Sequence, residues 1–357
     1  MLRDDVRAAL PGWVAGRVLT ALGWVAALVL VRIEASGTWT VQMHQGLFAW
    51  DGAFYRAIAD MGYEAVGGDA TRFHPLLPFL GRNDLGLLIV SNLAALGAAA
   101  AIHRLVNEVL RDADLARRAA TLVGVAAPAF TLVWAYAEGL FLLITALLLL
   151  AVHRRRWWWV AVLGALATLA RPTGLLLMAP VAVALVAAPR RTGAPKSSAR
   201  HLAQAAALTA PGLTMGVWLW WVGETFGDAW LPLRVQSDLR DGTRFLPLRL
   251  LEGGAEVLTD PLGDGLHLPF ALLAVWLTWI AWRRLPAGWA IYVAATVLVM
   301  LSTGNLNSIE RYAFGNVALV VAGASVASGR AWRPTVAISS MLLVGMSALA
   351  WYGRYVP

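Results

Sequence analysis

The 357-residue chain contains no cysteine. That excludes disulfides, thiol chemistry and a thiolate metal site. It is also poor in charge, with 14% of residues charged, where a soluble chain carries roughly 25%. Lysine is nearly missing: 28 of the 29 basic residues are arginine, and Lys196 is the exception. There is no G-x-x-x-x-G-K-[ST] loop, no dinucleotide fingerprint and no H-E-x-x-H. An ATP-driven pump and a zinc membrane protease therefore lack their signatures. Short alternating segments of the kind an outer-membrane barrel needs are absent too. The first residues, Met1 to Trp13, show no cleavage pattern before a long apolar run. They read as a retained signal anchor.

Hydrophobicity is what the chain has. Fifty-nine per cent of its residues are hydrophobic and its mean hydropathy is +0.64. The apolar residues are gathered into blocks close to the roughly 20 residues that cross a bilayer as helix. Backbone polar groups in lipid must be satisfied within the chain, so the blocks are helices. The expectation is an all-α polytopic membrane protein with about eleven spans. They fall near 12–33, 85–103, 119–135, 138–152, 157–170, 174–188, 203–222, 266–282, 287–303, 312–328 and 334–351. The pair 157–170 and 174–188 is short and can also be read as a hairpin bent at Pro172. No repeat, low-complexity tract or soluble domain stands out. Most of the 18 tryptophans suit an interfacial belt at span ends.

Charge placement sets the expected orientation. With the N-terminus inside, the inside segments hold 17 basic residues, among them Arg104, Arg118, Arg154, Arg190, Arg191, Lys196 and Arg284, against five acids. The outside segments hold 10 basic residues and 16 acids. This positive-inside bias puts the C-terminus outside and the protein in a cell membrane. It also accounts for the net charge of +8 without a nucleic-acid partner. Two long outside segments, 34–84 and 223–265, are rich in acids, aromatics and prolines, so the chemistry is expected there.

Five constellations bear on that chemistry. In Trp50–Tyr63, the residues Leu47, Trp50, Phe54, Ile58 and Met61 recur at helical spacing and outline a short interfacial helix. Asp51 and Tyr55 share an adjacent face, and Gly62 suits the helix end. Asp51 reads either as a reactive carboxylate at the membrane surface or as an N-cap for a helix starting at Gly52, and the two are compatible. In Arg72–Phe79, two prolines stiffen the approach to the next span, and His74 is placed to meet a sugar hydroxyl or a phosphate. Glu138 lies at the outer end of two closely linked spans, costly unless it faces a cavity or partner. Arg171, in Arg171–Gly174, needs an anion or carbonyl niche; a phosphate would suit it, and so would a salt bridge to Glu138. Glu310 and Arg311 stand at another outer end, where neighbours of opposite charge often simply pair.

Together these fragments resemble the PIG-V-like mannosyltransferases, in particular their bacterial, actinobacterial-type members. The stretch WDGAFYRAIADMGY (50–63), followed by FHPLLPF (73–79), carries the resemblance most specifically. Ser91-Asn92, Pro128–Glu138 and Arg171–Gly174 follow in the family's order. His74 and Ala137 depart from its pattern, where phenylalanine-proline and serine are common.

The resemblance implies a GT-C glycosyltransferase bundle. Such an enzyme transfers mannose from polyprenyl-phosphate mannose to a hydroxyl of a membrane lipid or glycan acceptor, with inversion. It implies Asp51 as general base and Arg171 and Arg311 as phosphate-binding residues. Trp50, Tyr55, Tyr63, His74 and Glu138 then shape the substrate site. No ligand cluster suggests a required divalent cation or other cofactor. Two rivals stand beside it, a lipid or solute transporter and a non-catalytic subunit of a mannosyltransferase complex. The spans are nearly empty of acids and lysines that could line a path, and their charges sit at the outer rim, which disfavours the first.

Overall fold

The computed structural model describes residues 2–33, 38–187, 198–355 and 357. Arg190, Arg191 and Lys196, counted above among the inside residues, lie outside the described residues, as do 34–37 and 188. The described residues form seventeen α-helices. The first nine are α1 (Leu2–Ile33), α2 (Val41–Gln45), α3 (Asp51–Val66), α4 (Leu76–Gly81), α5 (Asp84–Val109), α6 (Ala113–Val125), α7 (Glu138–His153), α8 (Trp157–Ala170) and α9 (Met178–Val186). The rest are α10 (Ser198–Phe226), α11 (Leu231–Leu239), α12 (Leu246–Thr259), α13 (Asp264–Arg284), α14 (Ala287–Leu301), α15 (Ile309–Phe314), α16 (Val317–Val326) and α17 (Trp332–Tyr352). The only β-pairing among the described residues is one antiparallel bridge, Thr243 to Thr303.

Five helical segments are long and apolar enough to cross a membrane: Arg3–Ile33, Asp84–Val109, Ser198–Phe226, Asp264–Arg284 and Gly329–Tyr352. Five more apolar helices are shorter, at Glu138–His153, Trp157–Ala170, Pro172–Val186, Ala287–Leu301 and Val317–Val326. A 15-residue helix is about 22 Å long at 1.5 Å per residue, short of a hydrocarbon core of about 30 Å.

Two expected spans are interrupted and a third bend falls between two spans, each with a local cause. The segment 119–135 is not one helix. The backbone turns extended at Ala126 (ψ 151°), just before Pro128, whose ring cannot continue a helix. The pair 157–170 and 174–188 bends at Arg171 (φ −156°, ψ 145°), the extended state that a following proline favours. The segment 312–328 divides at Gly315-Asn316, where Asn316 Oδ1 accepts from the backbone N–H of Ala318 and Leu319 and starts α16 afresh.

The loops sort into two ends. At one, Asp5 holds His103 at 2.8 Å and Arg104 at 2.9 Å, Glu108 holds Arg154, and the Arg118 and Arg284 guanidiniums donate to the Ala324 and Ser325 carbonyls. All were expected on the inside. The other end gathers 38–83, 126–137, 171–177, 227–263 and 302–316.

Close helix crossings rest on glycine. Gly12 and Gly16 of α1 meet Gly124 of α6, and a Cβ on Gly16 or Gly124 would run into the other helix's backbone. Small residues four apart allow this approach, and packing of this kind is the main attraction between helices in lipid. Gly124→Leu should therefore lower the melting temperature of the detergent-solubilised protein, by the equivalent of about 1–3 kcal/mol for an overpacked site. Gly212→Leu on α10, where a Cβ meets open space, should leave it unchanged or raised.

Candidate active site

The helix breaks bring polar residues to one place. A cavity of about 870 Å³ opens at the end of the bundle away from the Asp5–Arg104 cluster. Its ionic lining is Asp51, Glu138 and four arginines, Arg72, Arg171, Arg240 and Arg311. Among these side chains four cations face two carboxylates. The remaining wall is largely apolar and includes Leu175, Leu176, Met215, Leu219, Val299 and Met300, the last four from α10 and α14.

Asp51 is the first residue of α3 rather than its cap. The capping position is Trp50, in the left-handed region at φ 56°, and no side chain caps the helix. That conformation is costly for a bulky residue, so its surroundings must hold it. Trp50 Nε1 donates to the Ala350 carbonyl at 2.9 Å, and its backbone N–H donates to Gln45 Oε1 at 3.3 Å. Trp351 of α17 returns the tie by donating to the Gly46 carbonyl at 2.8 Å. Below, the Asp51 N–H donates to Tyr136 Oη at 3.2 Å, and Tyr136 donates to the Ala49 carbonyl at 3.3 Å. The carboxylate, freed from capping, accepts Arg311 Nη1 at 2.5 Å.

Glu138 opens α7 and is buried, 2% exposed. It pairs with Arg171 Nη1 and lies 3.5 Å from Arg311 Nε. Asp51, Arg311, Glu138 and Arg171 thus form one chain of alternating charge drawn from four distant parts of the sequence. The salt bridge to Glu138 that the sequence allowed for Arg171 is present. Glu310, next to Arg311, points elsewhere: it accepts from His267 Nδ1 at 2.9 Å and from the Tyr355 hydroxyl. Burial alone would raise the Asp51 carboxyl. Arg311 foremost, with Arg72 and Arg171, outweighs it and holds the group below its ordinary value.

Ser91 and Asn92 act as struts. Ser91 Oγ donates to the Tyr136 carbonyl at 3.0 Å, and Asn92 Nδ2 donates to the Leu88 and Val133 carbonyls at 2.9 and 3.0 Å. They fix the loop that carries Tyr136 and Glu138. Arg17, within α1, is satisfied by Asn92 Oδ1 at 2.8 Å and the Leu132 carbonyl at 3.1 Å.

The other expected site residues divide. Trp50, Tyr55 and His74 line the cavity. His74 is buried, its Nδ1 bonded to the Thr168 carbonyl. Since a carbonyl only accepts, Nδ1 carries the proton and Nε2 keeps its lone pair. Burial, with a smaller push from Arg171 and opposed by the Thr168 bond, brings the ring down to about 4. The imidazole is neutral at pH 7, which favours a hydroxyl over a phosphate as its partner. Tyr63 departs from expectation. It does not line the cavity; its hydroxyl donates to the Phe73 carbonyl at 2.7 Å and its ring packs on Trp218 and Trp221. The backbone at Gly62 is non-helical (φ 79°, ψ 169°) and turns Tyr63 off the Asp51–Tyr55 face.

Three cavity residues had been given no role. Arg72 lies over the rings of Phe73 (4.5 Å) and Phe54 (5.1 Å). Arg240 lies 4.8 Å over the Tyr312 ring, which Arg171 and Arg311 approach to 5.0 and 5.4 Å. Neither Arg72 nor Arg240 has an acid partner among the described residues. Arg240 is carried in by α11 and pinned because Asn305 Nδ2 donates to the Leu239 carbonyl (3.0 Å) and to Asp241 (2.9 Å). That pairing is a long-range contact with no periodic trace in sequence. Tyr312 directly follows Glu310 and Arg311 in sequence, and Arg72 opens the segment that carries His74.

Among the described residues no three histidine, aspartate or glutamate side chains converge as a metal site would require. No family model matches the chain, and no curated protein sequence matches it.

Two outcomes are expected. Glu138→Gln leaves two buried guanidiniums short of a partner and should cost about 3–5 kcal/mol, read as a lower melting temperature in detergent. His74, with its pKa depressed from 6.5 to about 4, favours folding in full above 6.5. That contribution, on the order of 3 kcal/mol, should be lost as the pH falls towards 4. His74→Asn should flatten this part of the pH–melting profile, leaving the part due to Asp51 at lower pH.

Proposed function

We propose that the chain is an inverting GT-C glycosyltransferase that moves mannose from a polyprenyl-phosphate carrier to a hydroxyl of a membrane glycolipid or lipoglycan. The observation that carries this reading is the joining, in one cavity, of an ionised carboxylate, an excess of arginine and an apolar wall built from α10 and α14. A lipid phosphate sugar has the matching parts: a polyprenyl tail, an anionic phosphate and a polar ring. The motif residues that resemble the PIG-V-like family (Asp51, Glu138 and Arg171) meet there although they are far apart in sequence. In this reading the five shorter apolar helices and α6 also cross, giving about eleven passes, with the cavity on the extracytoplasmic face of the cell membrane and the C-terminus on that side.

The chemistry follows from the groups present. The acceptor hydroxyl oxygen attacks the anomeric carbon as the bond from that carbon to the phosphate oxygen breaks. The hydroxyl proton passes to Asp51, and the bonding pair leaves with the polyprenyl phosphate. A single displacement inverts the anomeric centre. Asp51 is held ionised by Arg311, so it is ready to accept a proton. Arg171 and Arg311 are each matched by a carboxylate yet keep further N–H donors for the phosphate. Arg72 and Arg240 supply the uncompensated charge that a leaving phosphate needs. Tyr55 and His74 face the sugar or the acceptor.

The test is transfer in native membranes from radiolabelled polyprenyl-phosphate mannose, with wild type and Asp51→Asn at matched expression and melting temperature. Label should pass to a membrane acceptor in wild type and fall by about 10²–10⁴-fold in the variant, the contribution typical of a general base. Equal transfer would remove Asp51 from the mechanism. No transfer by wild type, with natural acceptors present, would favour the transporter or accessory reading.

A further inference from the structure

The segment 223–265 reads in sequence as an extracytoplasmic loop, yet α12 within it is built the wrong way round for water. A helix on an aqueous surface turns its charges outward and its apolar stripe inward. In α12 the charged residues are Arg249, Glu252 and Glu256. Arg249 is 1% exposed and is held by Glu256 at 2.9 Å, by Glu252 at 3.6 Å and by Asp264 at the start of α13. Glu252 and Glu256 are only partly exposed. Every exposed residue of α12 whose side chain is described is uncharged. Leu248, Leu251, Val257 and Leu258 lead that face, with Leu251 at 73% and Leu258 at 86% exposure, and Phe245 just ahead of the helix adds to it.

The neighbouring surface indicates what covers this face. α12 packs on α13. Gly253 lets Leu268 come close, and Gly265 lies against the backbone of Glu256 and Val257. α13 is one of the five helices long and apolar enough to cross a membrane. It carries its own exposed apolar residues, Leu272, Leu273, Trp276 and Trp279. The outward face of α12 is likewise apolar, while Glu252 and Glu256 turn towards the buried Arg249. A charged inner face and an apolar outer face are what a bilayer selects, because unpaired charge is expensive in hydrocarbon while leucine is not.

We propose that α12 lies against the acyl chains of the bilayer, at the end of the bundle that holds the cavity, and is not part of a water-exposed loop. This rests on no assumption about the reaction.

The absence of cysteine makes the test clean. Leu251→Cys and Leu258→Cys are each labelled with bimane and reconstituted in phosphatidylcholine vesicles with and without doxyl-labelled lipid. Trp276→Cys on α13 is the lipid-facing reference and Asp238→Cys on α11 the aqueous one. Doxyl quenching at 251 and 258 should match that at 276 and exceed that at 238, while iodide should quench mainly at 238. Iodide quenching at 251 and 258 equal to that at 238 would overturn the proposal. Protection from both quenchers would overturn it as well, and would identify a protein partner on this face. Two positions on one face guard against a local disturbance at either.

Discussion

The alternating chain Asp51–Arg311–Glu138–Arg171 is the constraint around which this end of the molecule is arranged. Charges withdrawn from water cost several kcal/mol each unless matched in geometry and sign. Each member arrives on a different element: α3, α15, the start of α7 and the break after α8. Removing one leaves its neighbours uncompensated, so the elements must be placed together or not at all. Arg311 is the pivot, because it touches both acids.

Such placement requires backbone that is not helical at the cavity ends of apolar segments. Irregular backbone near membrane depth survives only where it is buried in protein or lines a cavity. Here both conditions hold. The turn between α6 and α7 is braced by Ser91, Asn92 and Arg17, whose bonds take up the carbonyls of Leu132, Val133 and Tyr136. Asn316 restarts α16 after Arg311 has been delivered, and it also donates to Thr296 Oγ1 of α14 at 2.8 Å. The prolines at 128 and 172 set where the chain leaves the helix. Polar residues inside these helices thus serve the breaks, and the breaks serve the cavity.

Sequence reasoning reached the helical class, the two-ended distribution of charge and seven of the side chains that line the cavity. These depend on composition and on local motifs, and both are visible in a single chain. It placed Asp51 near the start of the right helix and left the cap open as one reading, because a capping aspartate and a first-turn aspartate have the same local pattern. Helix ends at 125 and 314 were harder, since apolar runs continue through them and only a proline or an asparagine marks the stop, whereas the end at 170 was legible from Pro172. Tyr63 was assigned by its motif, but the turn at Gly62 rotates it away. Arg240 was missed because its position comes from pairing between 239–244 and 302–307, two segments with no periodicity to connect them. The inverted exposure of α12 was likewise hidden, since which face of a helix is outward is decided by its neighbours.

The loop that presents Asp51 is closed by α17. Trp50 reaches the Ala350 carbonyl, Thr40 the Trp351 carbonyl, and Asp51 meets Arg311, contacts that bridge 300, 311 and 260 positions of sequence. A ribosome delivers the early member of each pair long before the late one. During synthesis the first loop therefore lies across an unfinished bundle, with Trp50 lacking the anchor that offsets its backbone conformation. The carboxylate acquires its arginine, and the cavity its floor, only after the later helices have inserted. Timing is in this sense written into the topology: a nascent chain cannot present a finished pocket, and a chain cut short before α17 would be left with a loose first loop for quality control to detect.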